Sequence, residues 1–332
     1  MTTRQGADRA APRLLIVKLS SLGDVVHAMA AVQDIRKACP EMQIDWVVER
    51  GFAPLVQRCA GVARAIPCDL RRWRRQPLAA ATRGEWRHFR ADLALHTYDW
   101  VLDLQGLTKS AWIAWLARKT AGGVHVSLGN RTDGSSFEAP ARWLADRAVV
   151  LPPHVHAVQR SRLLCAAALG YALTGPAVFG LQARALATAP HAKPLVVLVH
   201  GTSRRDKEWP QDHWRALGQR LNAAGYRVAL AHGSPAEQAA SEQIAAGLDD
   251  ALVWPTMALD VLVDSMGACA GVIGVDSGLS HIAVALDLPH VQLYNFDTAW
   301  RTGPAGGRQV AVYASPAPSV DFVWQAWLGV VA

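Results

Sequence analysis

The chain has 332 residues, of which 51% are hydrophobic and 18% are charged, and its formal net charge is +7. A chain of this length is too long to fold around one ordinary hydrophobic core, so two α/β domains are predicted. The high hydrophobic and low charged fractions exclude a disordered protein. No apolar run reaches the roughly 18 residues that a membrane-spanning helix needs, so none is predicted.

Two features bear on where the protein works. Residues 1–13 are polar and lack the apolar core of a signal peptide, so a disordered tail is predicted there. The five cysteines, Cys39, Cys59, Cys68, Cys165 and Cys269, are scattered without a C-x-x-C pair. Such an odd, unpatterned set predicts reduced core thiols and a cytosolic setting.

Strands and helices alternate through the first domain, predicted at 14–175. Short apolar runs predict strands at 14–19, 43–49, 63–67 and 100–105. Helical spacing predicts helices at 25–38, 54–60, 109–118 and 161–171. Residues 71–90 mix arginine with aromatic residues, and residues 120–160 are rich in glycine and proline and are predicted to be irregular.

A linker is predicted at 176–194, and a second domain at 195–320. Its strands are expected at 195–200, 227–231, 252–254, 271–276 and 310–313. Its helices are expected at 210–224, 235–247, 259–269 and from Gly278 onward, before a C-terminal helix at 321–332. This alternation predicts an α/β protein with open, mostly parallel sheets and helices on both faces.

Two turns carry residue types suited to a ligand site. Gly271 to His281 predicts a strand ending at Asp276, a cap at Ser277 and a helix whose first-turn N–H groups Gly278 leaves open to an anion. An ordinary scaffold turn is the alternative. In the other half, Asp24 follows Ser21 by three positions, which fits a capping box as well as a general base at a strand's carboxyl end. Two such turns suggest a cleft.

The loop 200–210 also follows a strand. Thr202, Ser203 and Lys207 could hold a diphosphate and stabilise its charge, although a solvated polar loop is the alternative. His281 fits a satisfied core histidine as well as a ligand. His154 and His156 have no cysteine or carboxylate near them in sequence, so no metal site is predicted.

Arginine is concentrated between Arg58 and Arg90, where nine arginines stand against Asp69 and Glu85. This segment predicts an anionic partner. Trp and Arg alternate at 71–75 and could stack on nucleic acid, but no nucleic-acid-binding fold signal accompanies them, so no such partner is expected. The spacing of Trp112 and Trp115 predicts core packing, with contact to a membrane surface as the alternative.

Five segments together identify a family. They are KLSSLGDVVHAMAAVQDIRKACPEMQIDWVVERGF, LRRWRR, VLDLQGLTKSAW, DKEWPQDHW and GVDSGLSHIAVALDLP. In this order and spacing they resemble glycosyltransferase family nine, the heptosyltransferases of lipopolysaccharide biosynthesis. The resemblance runs from about Leu14 to about Leu293, and the combination is specific although each segment alone is not.

The resemblance implies the GT-B fold, in which two Rossmann-like domains with parallel sheets face each other across a central cleft. It implies metal-independent, inverting transfer of L-glycero-D-manno-heptose from ADP-heptose to the first Kdo sugar of Kdo2-lipid A. ADP-heptose is then a substrate, and no cofactor is expected. The implied protein is a cytoplasmic monomer, peripherally associated with the cytoplasmic leaflet of the inner membrane.

The resemblance also implies roles for residues. The domain at 14–175 binds the acceptor and the domain at 195–320 binds the donor. Asp24 is the implied base and Lys207 the implied stabiliser of the leaving diphosphate. The other implied acceptor residues are Lys18, Ser21, Gly23, Arg71, Arg72, Arg74 and Arg75. The other implied donor residues are Thr202, Ser203, Glu237 at the ribose, Met257 beside the adenine, Asp276, Ser277, Gly278 and His281.

Two segments, 127–143 and 295–306, depart from the family pattern. In the first, Phe137-Glu138-Ala139 replaces an arginine-glutamate-proline run, and Arg131 is expected to take over that arginine's work. Three alternatives stay open: a transferase of the same family with a heptose acceptor, a nucleotide-sugar 2-epimerase of the same architecture, and a binding protein with an inactive cleft. The LRRWRR segment favours the Kdo acceptor.

Overall fold

The computed structural model describes residues 11–186, 193–304 and 306–332. The predicted tail at 1–13 and linker at 176–194 therefore lie partly outside the described residues. We call residues 11–186 the N-terminal half and the described residues from 193 onward the C-terminal half. Each half contains one six-stranded sheet.

The N-terminal sheet has the strand order β3-β2-β1-β4-β5-β6, and every pairing is parallel. Its strands are β1 Arg13–Val17, β2 Gln43–Glu49, β3 Val62–Cys68, β4 Tyr98–Asp103, β5 Lys119–Leu128 and β6 Arg147–Val149. Its helices are α1 Leu22–Ala38, α2 Ala53–Val56, α3 Leu70–Arg75, α4 Ala80–Ala94, α5 Thr108–Leu116, α6 Pro140–Trp143 and α7 Ala157–Leu169.

The C-terminal sheet repeats this arrangement with the order β12-β11-β10-β7-β8-β9, again with parallel pairings. Its strands are β7 Leu195–Val199, β8 Arg227–Leu230, β9 Ala251–Val253, β10 Gly271–Val275, β11 His290–Tyr294 and β12 Gln309–Tyr313. Its helices are α8 Gln211–Ala223, α9 Pro235–Ala245, α10 Leu259–Gly267, α11 Gly278–Ala285, α12 Ala299–Thr302 and α13 Val320–Val331. The predicted α/β class, with two parallel sheets and flanking helices, is confirmed.

The central strands are buried on both faces, which explains their uninterrupted apolar runs. In β1, Leu14 and Ile16 pack in a core that includes α1, whereas Leu15 and Val17 face a second core that includes Trp73 of α3. The order of strands reverses between β1 and β4, and again between β7 and β10. In open α/β sheets ligands bind at such switch points, outside the carboxyl ends of the strands.

Helices α1 and α11 join the two halves at these switch points. A methyl group placed on Gly23 of α1 would lie 2.5 Å from the ring of His281 in α11, and one on Gly278 of α11 would lie 2.6 Å from Leu22 of α1. The two helix starts therefore touch. Leu22 fills the space on the side of Gly278 where a Cβ would lie. The expectation that the first-turn N–H groups of this helix bind an anion stays a prediction.

A second link lies at the start of the predicted linker. The N–H of Ala60 donates to the carbonyl of Gly180 at 2.8 Å, and the N–H of Arg184 donates to Asp264 of α10 at 2.7 Å. Arg58 pairs with the same Asp264 at 2.6 Å. Residues 180–184 thus run along both halves and tie them together.

Three strands were not predicted. Strand β5 contains Gly122 and Gly123 beside an irregular register with β4, because glycine there accommodates a bulge. Strand β6 has only three residues, too few to show a pattern. In β11 the buried polar residues His290 and Gln292 interrupt the apolar run by which a buried strand is predicted. Helix boundaries also shift: the helix expected at 54–60 ends at Val56, and the one expected at 161–171 begins at Ala157.

The prediction that Trp112 and Trp115 pack in the core is wrong. These side chains of α5 are 41% and 61% exposed, and Ile113 and Ala114 face the core instead. The prediction for cysteine agrees with the structure: all five thiols are unpaired and four of them are buried. In the described part of the chain, no helix combines the length and hydrophobicity needed to cross a bilayer.

The contact between α1 and α11 makes a testable prediction. Gly23→Ala should destabilise the protein by about 1 to 3 kcal/mol, because the added methyl overlaps the rigid His281 ring. Gly84→Ala within α4 is the matched control, since nothing lies within 4 Å of the added methyl, and it should stabilise by about 0.5 to 1 kcal/mol. Urea unfolding of both variants measures this. Equal effects would mean that the two helices do not meet as described.

Candidate active site

A cleft lies between the two halves where α1, α7 and α11 begin. It is lined by Ser21, Gly23, Asp24, His27, Gly134, Ala157, Arg160, Ser203, Lys207, Asp276, Ser277, Gly278, His281, Arg301 and Thr302. The two turns selected from the sequence are therefore brought together, one on each side. Most of the lining is polar or charged.

Asp24 lies in the first turn of α1, where it both caps the helix and lines the cleft. Its Oδ2 accepts hydrogen bonds from the N–H of Ser21 at 3.3 Å and from the Ser21 hydroxyl at 3.1 Å, as a helix-capping carboxylate does. Its Oδ1 faces Arg160 Nη2 at 3.1 Å and Lys18 Nζ at 3.6 Å. One side chain thus caps the helix and presents a carboxylate to the cleft.

The two cations decide the protonation state of Asp24. Burial by itself would raise the pKa of this carboxyl, but Lys18 and Arg160 outweigh burial and hold the pKa below its ordinary value. The pKa of Lys18 is in turn lowered, mainly by burial. Asp24 is therefore ionised at neutral pH.

Lys18 is held by the loop that follows β4. Its Nζ donates to the carbonyl of Leu104 at 3.2 Å. The neighbouring Asp103 is fully buried, accepts hydrogen bonds from the N–H groups of Gln105 and Gly106, and has its pKa raised by burial to about 6. Gln105 Oε1 accepts from the N–H groups of Leu19 and Ser20, so the β4 loop also fixes the β1 loop that leads into α1 and Asp24.

Asp276 is the corresponding carboxylate of the C-terminal half. Its Oδ2 accepts from Lys207 Nζ at 2.6 Å. Its Oδ1 accepts from Thr302 Oγ1 at 3.2 Å and from Gln292 Nε2 at 3.3 Å, with His281 Nε2 at 3.4 Å. Burial would raise the pKa of Asp276, but His281 and Lys207 outweigh it and lower the pKa. Lys207 is therefore fixed at the cleft by its partner.

Three histidines line the seam beside these carboxylates. The rings of His27 and His281 lie 4.2 Å apart, and those of His27 and His156 lie 6.2 Å apart. His156 Nδ1 accepts from the N–H of Val158, so its Nε2 donates to the carbonyl of Gly303 at 3.0 Å. Burial, followed by the neighbouring His281, lowers the pKa of His27 well below its ordinary value. His27 is therefore neutral at pH 7.

Ser277 occupies the cap position of α11 but does not cap it. Its hydroxyl oxygen is buried without a hydrogen-bond partner among the described residues, although Ser277 lines the cleft. A buried hydroxyl without a partner costs free energy unless a bound group satisfies it. This oxygen is therefore available to a ligand at the start of α11.

The other predicted donor residues divide between two adjoining spaces. Ser203 and Lys207 line the cleft, whereas Thr202 and Glu237 line a second depression on the other side of the same loop. Thr202 Oγ1 donates to the Asp276 carbonyl at 3.4 Å, and Glu237 accepts from the N–H of Gly233 at 2.7 Å. Met257 is partly buried, and its sulfur accepts from Ser265 Oγ at 3.8 Å. It does not line either space.

The predicted acceptor arginines lie on α3 and do not line the cleft. Arg71, Arg74 and Arg75 are exposed, and Arg72 is bound to both Asp69 and Glu85. Because β2 separates β3 from β1, strand β3 lies about 10 Å from β1, and α3 begins after β3 at the same carboxyl edge of the sheet. Arg58 and Arg64 of the wider arginine segment are paired with Asp264 and Asp45, so they are not part of a free basic surface.

Two cleft arginines were missed by the sequence analysis. Arg160 of α7 is 7% exposed and pairs with Asp24, although 136 residues separate the two in the chain. Arg301 of α12 lines the cleft and forms no ion pair with a carboxylate of the described residues. Arg131, which was expected to replace a family arginine, donates to Ser135 within its own loop. Arg160 interrupts the apolar spacing of residues 157–169, and this charged residue within a helical pattern is the sequence feature that could have identified it.

The two segments that depart from the family pattern pack against each other across the cleft. A methyl on Gly134 would overlap Arg301, and Trp300 stacks on His154, which follows the first segment, with ring centres 3.7 Å apart. The described residues of these two segments therefore form one wall of the cleft. In the described residues, no group of three His, Cys, Asp or Glu side chains could hold a metal ion.

Comparison with known proteins places this geometry in a family. The profile of glycosyltransferase family 9 (heptosyltransferase) matches residues 86–329. Lipopolysaccharide heptosyltransferase 1 of Pseudomonas aeruginosa is 39% identical over 90% of this chain and 82% of its own length. Lipopolysaccharide heptosyltransferase 2 of Salmonella typhimurium is 26% identical over 85% of this chain and 82% of its own length.

Solved structures agree with this. The Escherichia coli heptosyltransferase WaaC with ADP superposes with a TM-score of 0.84 and 33% identity, covering 94% of this chain and 98% of that one. The same enzyme with ADP-2-deoxy-2-fluoro heptose gives a TM-score of 0.80 over the same shares of the two chains. The chain therefore shares the overall fold of these enzymes over nearly its whole length.

The ion pair between Lys207 and Asp276 predicts a pH-dependent contribution to stability. The pKa of Asp276 is lowered in the folded chain. The contribution to stability is therefore present above the unfolded-state pKa of about 4, and it is lost as the pH falls through the folded-state pKa. Asp276→Asn should therefore destabilise by about 3 kcal/mol at neutral pH, and by less at about pH 3.5. Urea unfolding at both pH values measures the difference.

Asp206→Asn is the matched control for that experiment. Asp206 pairs with Arg204 in the same loop, but both side chains are at least half exposed. An exposed pair contributes little, so this variant should change stability by less than about 0.5 kcal/mol. A pH-independent deficit in Asp276→Asn would show that packing, and not charge, is what the substitution removes.

Proposed function

The chain belongs to glycosyltransferase family 9, the heptosyltransferases, and from this membership we propose that it transfers L-glycero-D-manno-heptose from ADP-heptose to the first Kdo sugar of Kdo2-lipid A. The observation that carries the proposal is the arrangement of charge across the cleft. An ionised carboxylate, Asp24, faces a fixed cation, Lys207, from the opposite half. Glycosyl transfer with a departing diphosphate needs one group of each kind.

The C-terminal half is the proposed donor side. Ser203, Lys207 and the unpartnered hydroxyl of Ser277 stand where they can bind the diphosphate of ADP-heptose, at the N-terminus of α11. The adjoining depression with Thr202 and Glu237 is the proposed place of the ribose. Met257 lines neither space, and its place beside the adenine stays a prediction from the family resemblance. The relatives solved with ADP and with an ADP-heptose analogue support this donor.

The N-terminal half is the proposed acceptor side. The Kdo hydroxyl attacks the anomeric carbon of heptose, the bond from that carbon to the phosphate oxygen breaks, and ADP leaves with the electron pair. Asp24 takes the hydroxyl proton. Because Lys18 and Arg160 keep Asp24 ionised, it accepts this proton late, when the forming bond has made the hydroxyl acidic. Attack opposite to the departing ADP inverts the configuration at that carbon.

The positive charge that a departing diphosphate needs comes from the chain in this proposal. Lys207 and Arg301 line the donor side of the cleft, and the first turn of α11 adds its N–H dipole. These groups support the proposal of a metal-independent enzyme without a cofactor. We expect a monomer that works in the cytoplasm at the inner membrane, where its lipid acceptor lies.

The alternatives differ in what they require of the acceptor. A heptose-acceptor transferase uses the same donor, and the lower identity to a heptosyltransferase 2 disfavours it. A nucleotide-sugar epimerase needs no acceptor at all. Both can be separated from the proposed reaction by measuring ADP.

ADP release from ADP-heptose is the direct test. Release should require Kdo2-lipid A or its deacylated form. In Asp24→Asn, turnover should fall by about 100- to 10,000-fold while donor affinity, measured by calorimetry, stays within about twofold. The control is Asp212→Asn, an exposed aspartate of α8, which should behave as the unaltered chain does.

Three results would contradict this proposal. Release of ADP without any acceptor would indicate hydrolysis or another reaction. Release of ADP only with an acceptor that already carries heptose would indicate that the enzyme transfers heptose to a heptose acceptor and not to Kdo. Near-normal turnover in Asp24→Asn would remove Asp24 as the base.

The arginines of α3 give a second prediction. Replacing Arg71, Arg74 and Arg75 by glutamine should raise the Michaelis constant for deacylated acceptor by about tenfold, because contacts of arginine with phosphate and carboxylate are charge-assisted but screened at an exposed surface. Arg72 is left unchanged because it holds Asp69 and Glu85. The control replaces Arg215, Arg220 and Arg227, three partly exposed arginines of the C-terminal half. An equal rise in both sets would mean that only net charge matters.

A further inference from the structure

Helices α5 and α6 present tryptophan to solvent, which is unusual because this large side chain is normally buried. Trp112 and Trp115 of α5 are 41% and 61% exposed, and Trp143 of α6 is 69% exposed. Helix α6 packs against α5. None of the three lines the cleft, so the proposed reaction does not account for them.

A basic surface adjoins these tryptophans. Arg83, Arg87 and Arg90 are exposed at helical spacing on α4. Trp86 of the same helix stacks in parallel on Trp112 with ring centres 5.0 Å apart, and Arg90 lies 6.0 Å from the Trp86 ring. Trp112 is therefore joined to the arginine-bearing helix α4 through one aromatic contact.

We propose that this tryptophan–arginine face, formed by Trp112, Trp115, Trp143, Arg83, Arg87 and Arg90, binds an anionic lipid surface. Indole rings combine an apolar body with an N–H group and concentrate at the boundary between headgroups and acyl chains. Arginines beside them are attracted to anionic headgroups. The proposal rests on the proposed function only in that a lipid-borne acceptor gives such binding a purpose.

The position of the face suits a lipid-borne acceptor. Helix α5 begins directly after the β4 loop, and Gln105 of that loop holds the backbone of Leu19 and Ser20, just ahead of Asp24. The acceptor-side loop is thus hydrogen-bonded to the loop from which α5, with Trp112 and Trp115, begins. Binding of the face to a bilayer holds the acceptor side of the cleft near the headgroups.

Sedimentation with vesicles tests the proposal. The unaltered chain should bind vesicles of phosphatidylglycerol and phosphatidylethanolamine, should bind phosphatidylcholine vesicles much less, and should lose binding as salt is raised. Replacing Trp112, Trp115 and Trp143 by glutamine should lower the partition coefficient by about tenfold. Replacing the three arginines by glutamine should weaken binding and reduce its salt dependence.

Two further variants guard against misfolding and nonspecific effects. Trp115→Gln with Trp143→Gln leaves the stack of Trp86 on Trp112 intact, and it should still weaken binding. The matched control replaces Val261, Phe322 and Leu328, exposed apolar residues of the C-terminal half, by glutamine. This control should bind vesicles as the unaltered chain does. Equal losses in the control and the tryptophan variant would overturn the proposal.

Kinetics separate this proposal from the proposed function. With Kdo2-lipid A in vesicles, the tryptophan variants should show a Michaelis constant raised by about tenfold, whereas with deacylated acceptor they should match the unaltered chain. Equal losses with both acceptors would overturn the proposal in favour of a structural role. If no acceptor is used at all, the vesicle measurement still decides the lipid question.

Two other partners would overturn the proposal. A dimer in sedimentation equilibrium that the tryptophan substitutions dissociate would show that the face binds a second copy of this chain. Binding of single-stranded nucleic acid that the same substitutions abolish, with no binding to vesicles, would assign the face to nucleic acid.

Discussion

The two halves meet because two helices begin at the same place and neither has a side chain at the point of approach. Gly23 leaves room for the ring of His281, and Gly278 leaves room for Leu22. This contact brings the carboxyl ends of β1 and β10 together and puts Asp24 and Asp276 into one cleft. A pair of glycines is thus a steric requirement of this contact, because a larger residue at either position would move Asp24 and Asp276 apart.

The same arrangement of charge occurs on both sides of the cleft. Asp24 is buried against Lys18 and Arg160, and Asp276 is buried against Lys207 and His281. Burying ion pairs is costly, and they add little to stability beyond what apolar residues would provide. In the proposed reaction their value lies in holding charges at fixed positions before the substrate arrives, because such preorganised charge stabilises a transition state.

Much of this could be predicted from the sequence, because the decisive residues follow strands. Asp24, Lys207 and Asp276 each come shortly after an apolar run, and a parallel sheet gathers such residues at one edge. Arg160 could not be placed that way, since its contact with Asp24 depends on how α7 packs on α1. Strand β11 was missed because His290 and Gln292 are buried polar residues, and Trp112 was assigned to the core because helical spacing gives a period without saying which face is covered.

The wall formed by 127–143 and 295–306 has a consequence for how such a protein can change over time. Gly134 fits against Arg301, and Trp300 against His154, so each half carries a shape that only the matching half completes. A substitution on one side alters the fit of the other side, so we expect changes in the two segments to be coupled. A two-domain fold would in principle allow whole domains to be exchanged between family members. We expect such an exchange to disturb the contacts at this wall, because they join residues of both halves.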